Sequence, residues 1–205
     1  MLDKLGEGGR STVYAAKWQG REVALKIYKP RAIRNHRVKY RQSIALYEFD
    51  RNRAFYEVAG LERYVAQPLA VVDTHDEVAM LQERLDGELY YFYYKRHDDH
   101  APADFPEHLR RILELSHQAK LYDVDMHAMN IMVVAEADGT LVPKLFDFNL
   151  VPSHDNPRNP VIAVAMKLRL LNARSRDLRK LDRLHDFERY ERALLHYYEP
   201  EDKQS

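Results

Sequence analysis

The sequence predicts an α+β fold of two lobes, an antiparallel sheet over residues 1–85 and a small, mainly helical lobe over residues 86–205. Three observations predict it. Between Leu5 and Tyr28, apolar strings of period two alternate with glycine turns, and two more strand patterns follow at Gln67 to Val72 and Glu77 to Leu85. A helical pattern separates those strand groups from Ser43 to Val58. After Asp86-Gly87 the period changes: Pro106 to Lys120 carries Leu109, Ile112, Leu113 and Leu115 at helical spacing, and Val161 to Tyr198 reads as two further helices.

Composition narrows the field. With 205 residues and 45% apolar content, the chain can bury one good core or two small ones, which argues against disorder throughout. Lys plus Arg and Asp plus Glu stand at 32 each, so any attraction for nucleic acid or an anionic membrane must come from a local patch. Cysteine is absent, which excludes disulfides, thiol catalysis and cysteine zinc sites and fits a reducing compartment. No apolar run approaches the roughly 20 residues of a spanning helix, and a cytoplasmic protein is expected.

The elements follow in order. Gly6-Glu-Gly8-Gly9-Arg-Ser11-Thr-Val13 puts small residues where a backbone bends tightly and turns its N–H groups toward an anion, although glycine clusters also mark ordinary hairpins. Gln19-Gly20 is the next turn, and Arg21 to Tyr28 continues with Val23, Leu25 and Ile27 on one face and Ala24 and Lys26 on the other. A lone strand lysine is ordinarily solvated; placed after Gly6 to Val13, Lys26 is also able to lie beneath the glycine turn and meet phosphate oxygens. Lys29 to Arg41 is basic and reads as a solvated loop and helix start, or as a contact for an acidic substrate or membrane. The helix at Ser43 to Val58 has an apolar stripe of Ile44, Tyr47, Phe55 and Val58, and its acids Glu48, Asp50 and Glu57 are surface charges by default. The aromatic run Leu89 to Tyr94 is read as packing rather than a platform for bases, and His97-Asp-Asp-His100 as a polar loop rather than a metal site.

Chemistry concentrates beyond the helix at 106–120. Tyr122 to Asn130 is an irregular loop, Ile131 to Val134 a strand, Asp138-Gly139 a hairpin turn and Val142 to Asp147 the returning strand. That hairpin brings Asn130 and Asp147 together at its outer ends. An amide carbonyl and a carboxylate suit a hard cation such as magnesium, which neutralises the charge that phosphoryl transfer develops. Asp125, five residues before Asn130, has a carboxylate able to orient an acceptor hydroxyl and take its proton.

Three strings carry a resemblance: Val23-Ala-Leu-Lys26, Asp123-Val-Asp125-Met-His-Ala-Met-Asn130 and Asp147-Phe-Asn149. In that order, behind a glycine-rich start, they resemble the protein-kinase-like superfamily over about Leu5 to Val151, in particular its compact atypical bacterial branches of the YrbL type. The resemblance implies a bilobal kinase-like fold, with ATP and Mg2+ between the lobes and backbone groups of Glu83 to Leu85 bonding the adenine ring. Gly6, Gly8, Gly9 and Val13 would cover the nucleotide and Lys26 would bind its α/β phosphates. Asp125 would be the base, and Asn130 and Asp147 the metal ligands. An acid on the helix at 43–58 would hold Lys26, Glu48 first and Asp50 or Glu57 otherwise. Ser11 and Asn149 stand where the family pattern has glycine. No arginine precedes Asp125 and no Ala-Pro-Glu string follows Asp147, so phosphorylation of an activation loop is not expected to regulate the chain. His127 is closer to the loops of small-molecule kinases.

The expected activity is thus transfer of the γ-phosphoryl group of ATP to a hydroxyl acceptor, either a protein Ser or Thr or a small molecule. The alternative is a pseudokinase that binds nucleotide as a scaffold or sensor; a nucleic-acid-binding module is a third reading. Pro152 to Pro160 reads as a connector containing Ser153. Beyond it Lys167, Arg169, Arg174, Arg176, Arg179, Lys180 and Arg183 form a basic face, read as solvated helix surface or as a dock for an acidic partner.

Overall fold

The computed structural model describes residues 2–74, 77–148, 160–168, 170 and 172–187. Within them β1 (Lys4–Glu7), β2 (Ser11–Trp18) and β3 (Arg21–Tyr28) form an antiparallel meander. Gln19 and Gly20 both take positive φ, 50° and 77°, as a two-residue turn between twisted strands requires. β4 (Pro68–Asp73) and β5 (Val78–Glu83) complete the sheet in the order β1-β2-β3-β5-β4, every neighbour antiparallel.

Two helices join β3 to β4. α1 (Pro30–Tyr40) begins with proline, whose fixed φ and missing N–H suit the first turn, and ends at Arg41 in the left-handed region, φ 55°. α2 (Ile44–Tyr56) is capped by Ser43, whose hydroxyl accepts from the Leu46 N–H at 3.5 Å. Its buried stripe is Ile44, Ala45, Glu48, Asn52 and Phe55, so two polar side chains share the inward face. Ile44 and Ala45 meet Tyr28, Val78 and Met80 in a small core between α2 and the sheet.

A second antiparallel sheet is built from β6 (Gly87–Leu89), β7 (Ile131–Ala135) and β8 (Leu141–Leu145). Asp86-Gly87 is therefore more than a break between patterns. A side chain at Gly87 would meet the Val133 carbonyl oxygen at 2.3 Å, so β6 pairs with β7 only because residue 87 is glycine. The aromatic run becomes α3 (Tyr90–Arg96), with Tyr90 wholly buried and stacked on Phe105 at 4.7 Å between centroids. α4 (Phe105–Gln118) buries Leu109, Ile112, Leu113 and Leu115, the face its spacing predicts. These side chains join Phe55, Tyr64, Ile131 and Phe148 in the larger core. The chain after α2 is tied to β8 by two bonds of 2.8 Å, Leu145 N–H to the Tyr64 carbonyl and Ala66 N–H to the Leu145 carbonyl.

Two helices follow, α5 (Pro160–Lys167) and α6 (Ala173–Asp182), the latter capped by Asn172 on the Ser175 N–H at 2.7 Å. Asn149, Ser153, the connector up to residue 159, Arg169 and the predicted helical stretch beyond residue 187 lie outside the described residues. The architecture is α+β with antiparallel sheets, and among the described residues no helix is long and apolar enough to cross a membrane.

Candidate functional site

Strand register places Val13, Lys26 and Met80 directly opposite one another on β2, β3 and β5, so the three side chains share one face of the sheet. Ala24 and Tyr28, two residues either side of Lys26, lie on that face too, and it is the buried one. Lys26 is only 8% exposed, whereas Ile27 on the opposite face is 39% exposed. The lysine is thus no solvated strand residue.

Its ammonium meets two carboxylates. Lys26 Nζ pairs with Glu48 Oε1 from α2 and stands 3.4 Å from Asp147 Oδ1 beyond β8. Tyr28 donates its hydroxyl to the other Glu48 oxygen at 2.8 Å. Of the three acids on that helix stretch, Glu48 therefore meets Lys26; Asp50 and Glu57 face Arg53 instead, at 3.0 and 3.9 Å. Burial depresses the Lys26 ammonium, but Asp147 and then Glu48 outweigh it and hold its pKa above the ordinary lysine value. Burial also pushes the Glu48 carboxyl up, opposed by Lys26 and reinforced by Asp147. The Tyr28 phenol is driven well up by burial and then by Glu48, so it remains a donor.

The glycine turn stands at the edge of the same face. Gly6 pairs with Val13, and the Gly8 N–H closes the turn onto the Ser11 carbonyl at 2.9 Å. Ser11 already belongs to β2, so its hydroxymethyl group is placed by the strand and not by the turn. Neither Gly6 nor Gly8 has positive φ. A methyl group at Gly6 would meet nothing within 4 Å, and one at Gly8 only the Ser11 oxygen at 4.0 Å. The fold makes no demand for glycine at either position; what the missing side chains leave is backbone open to close approach from outside. Arg10, at the tip of this turn, adds a positive charge felt at Lys26 and Tyr28.

The loop from Tyr122 to Asn130 is irregular, as expected, and bends through left-handed residues Asp123 (φ 58°) and Asp125 (φ 57°), a conformation aspartate tolerates better than most residues. Asn130 Nδ2 donates to Asp125 Oδ2 at 3.3 Å and to the Asp125 carbonyl at 3.4 Å. His127 Nδ1 accepts the Met129 N–H at 3.0 Å, which steadies the loop from within. Phe146 donates its N–H to the Asn130 carbonyl at 3.3 Å as Ile131 pairs with Leu145, so the paired strands carry Asn130 and Asp147 side by side. Lys26, Glu48 and Asp147 thus form one contact group and Asp125 and Asn130 another, joined through this strand pair.

Asn130 and Asp147 have the donor chemistry magnesium needs. The Asn130 amide nitrogen is turned to Asp125, which leaves its carbonyl oxygen for a hard cation, and Asp147 supplies a partly exposed carboxylate. Among the described residues no group of three or more His, Cys, Asp or Glu forms a metal cage. Of the backbone groups of Glu83 to Leu85 expected to bond an adenine ring, the Glu83 N–H is not free, because it donates to the Gln67 carbonyl at 2.8 Å, and the Glu83 carboxylate takes Lys144 at 2.6 Å.

Four side chains at this site escaped the sequence argument. Tyr28 secures Glu48. On α6, Lys180 Nζ stands 3.0 Å from Asp125 Oδ1 and Arg176 stands 3.6 Å from Asp123 Oδ1. Asp177, fully buried between them, accepts from the Asp123 N–H at 3.0 Å and pairs with His117 Nε2 at 3.1 Å. Burial pushes the Asp177 carboxyl up, with the His117 bond opposing. The basic face is thus divided: Arg174, Arg179 and Arg183 are exposed, while Arg176 and Lys180 turn toward acids of their own chain. His97 to His100 is an exposed loop whose His100 ring bonds the carbonyls of His97 and Asp98. No protein-family model matches the chain, and no curated protein matches it.

Proposed function

We propose that the chain is an ATP- and magnesium-dependent phosphotransferase with a bilobal protein-kinase-like fold, acting in the cytoplasm on a hydroxyl group of a protein or small molecule. The observation that carries the proposal is the buried Lys26 ammonium held between Glu48 and Asp147, on the sheet face whose edge is the open glycine turn. A buried lysine with two carboxylates is costly to maintain for stability alone, and aiming a cation at phosphate oxygens gives it a use.

Each residue then has a task. The turn backbone at Gly6, Gly8 and Gly9 lies against the phosphates, with the Gly8 N–H kept by the Ser11 carbonyl and closing the turn rather than binding an anion; Val13 covers the base, and Lys26 orients the α/β phosphates as a point charge. Asn130 and Asp147 would hold magnesium, which supplies charge neutralisation on the phosphates. Asp125 orients the acceptor hydroxyl. A bond forms between that oxygen and the γ-phosphorus as the bond from phosphorus to the β,γ-bridging oxygen breaks; ADP leaves with that oxygen's electron pair, and the hydroxyl proton passes to the Asp125 carboxylate.

The test is ATP turnover with magnesium in the parent, Asp125→Asn and Asp147→Asn. Asparagine tolerates the left-handed backbone at residue 125, so the variant removes charge without displacing the loop. We expect each variant to lose about a hundredfold or more in kcat. Equal turnover in all three removes the enzyme reading, and tight nucleotide binding without turnover in the parent favours a scaffold or sensor.

A further inference from the structure

We propose that Lys180 is a positioning residue for the Asp125 base, which makes α6 part of the active site and not merely a basic surface helix. The inference rests on the phosphotransferase reading and extends it to a residue 55 positions from the base.

The Asp125 carboxylate is held at both oxygens, Oδ1 by Lys180 at 3.0 Å and Oδ2 by Asn130 at 3.3 Å. One turn earlier on the same face of α6, Asp177 accepts the Asp123 N–H. The helix therefore grips the loop on both sides of Val124, itself fully buried. Such a grip has a physical reason. With Asp123 and Asp125 both left-handed, this stretch has neither helix nor strand bonding to fix the carboxylate's direction; Asn130 at the loop's end restrains Oδ2, and α6 supplies the restraint from outside the loop.

The ammonium's position divides the labour of the two oxygens. Oδ1 is occupied by Lys180, while Oδ2, which shares only a long bond with Asn130, keeps a lone pair for the acceptor proton. Both side chains of the pair are 30% exposed, so an acceptor can reach the carboxylate from solvent. That exposure also separates function from stability. A half-open ion pair contributes little to folding, whereas losing a carboxylate's aim is felt directly in the chemical step.

The experiment compares Lys180→Met, Lys180→Arg and the exposed neighbour Arg179→Ala with the parent and with Asp125→Asn in magnesium-dependent ATP turnover, alongside thermal unfolding. Lys180→Met is expected to lower kcat about tenfold to a hundredfold, with the KM for ATP unchanged and the unfolding midpoint within about 2 °C of the parent. Lys180→Arg recovers most of the loss and Arg179→Ala matches the parent. Parental kcat in Lys180→Met, with Asp125→Asn inactive, overturns this inference and leaves the phosphotransferase reading standing. A joint fall in kcat and unfolding midpoint that arginine does not rescue overturns it as well, because Lys180 is then structural. A parent without turnover overturns both.

Discussion

Replacing Glu48 by alanine removes the buried carboxylate that Lys26 and Tyr28 share. Glu48 is 1% exposed and accepts from both Lys26 and Tyr28. Truncating one partner of a buried ion pair costs about 3–5 kcal/mol, since the remaining charge is left desolvated. Here Asp147 still faces the ammonium at 3.4 Å, which favours the low end, while the orphaned Tyr28 hydroxyl adds about 1 kcal/mol. The expected loss is thus about 3–4 kcal/mol, or roughly 10 °C in unfolding midpoint for a chain of this length. Urea unfolding measures it, with the slope unchanged if only stability has moved. Lys26→Met with Glu48→Leu removes both charges together and should cost far less than the sum of the single changes. The direction of the Lys26 shift adds a pH signature. Its raised pKa contributes stability that is complete below pH 10.5 and lost as pH climbs through the folded value, an alkaline loss that Lys26→Met lacks. A Glu48→Ala protein within about 0.5 kcal/mol of the parent, the behaviour of a surface acid, refutes the reasoning.

Gly6→Ala and Gly8→Ala should leave thermal stability within about 0.5 kcal/mol while weakening ATP binding about two- to tenfold; Gly87→Ala, whose methyl group collides with Val133, should cost about 1–3 kcal/mol, and reversal of that order in thermal unfolding disproves the contrast. Burial lowers the pKa values of His36 and His185, so their contribution is present above pH 6.5 and lost as pH falls through their folded values. The pair His36→Gln/His185→Gln should therefore flatten the fall of the unfolding midpoint between about pH 7 and pH 5, and parallel curves for parent and variant speak against this.

What the sequence revealed depended on range. Turns at Gln19-Gly20 and Asp138-Gly139, the meander at the start and the inward face of α4 were legible because each is set by neighbours within a few residues. Lys26 and Glu48 were named through the resemblance, with Asp50 and Glu57 left open, since their pairing spans 22 residues; Tyr28 was within reach, because two residues along a strand returns to the same face. Asp177 and Lys180 were not. They meet the loop across 54 and 55 residues, and periodicity says which side chains share a face but not what that face will touch. β6 was missed because a three-residue strand has no periodicity to read, and its glycine, a break signal locally, serves a close approach visible only in the sheet. The Glu83 amide was misjudged for want of one pairing, that with Gln67.

The bond from Tyr28 to Glu48 has a mechanical meaning. Strand and helix are fastened by two neighbouring latches on one carboxylate, and Asp147 stands near both, 3.4 Å from the ammonium and felt at the phenol. On the phosphotransferase reading, an ammonium drawn toward phosphate would leave the bond from Tyr28 to Glu48 in place, and the helix would keep its seat. A hinge at this joint would have to unlatch the tyrosine first.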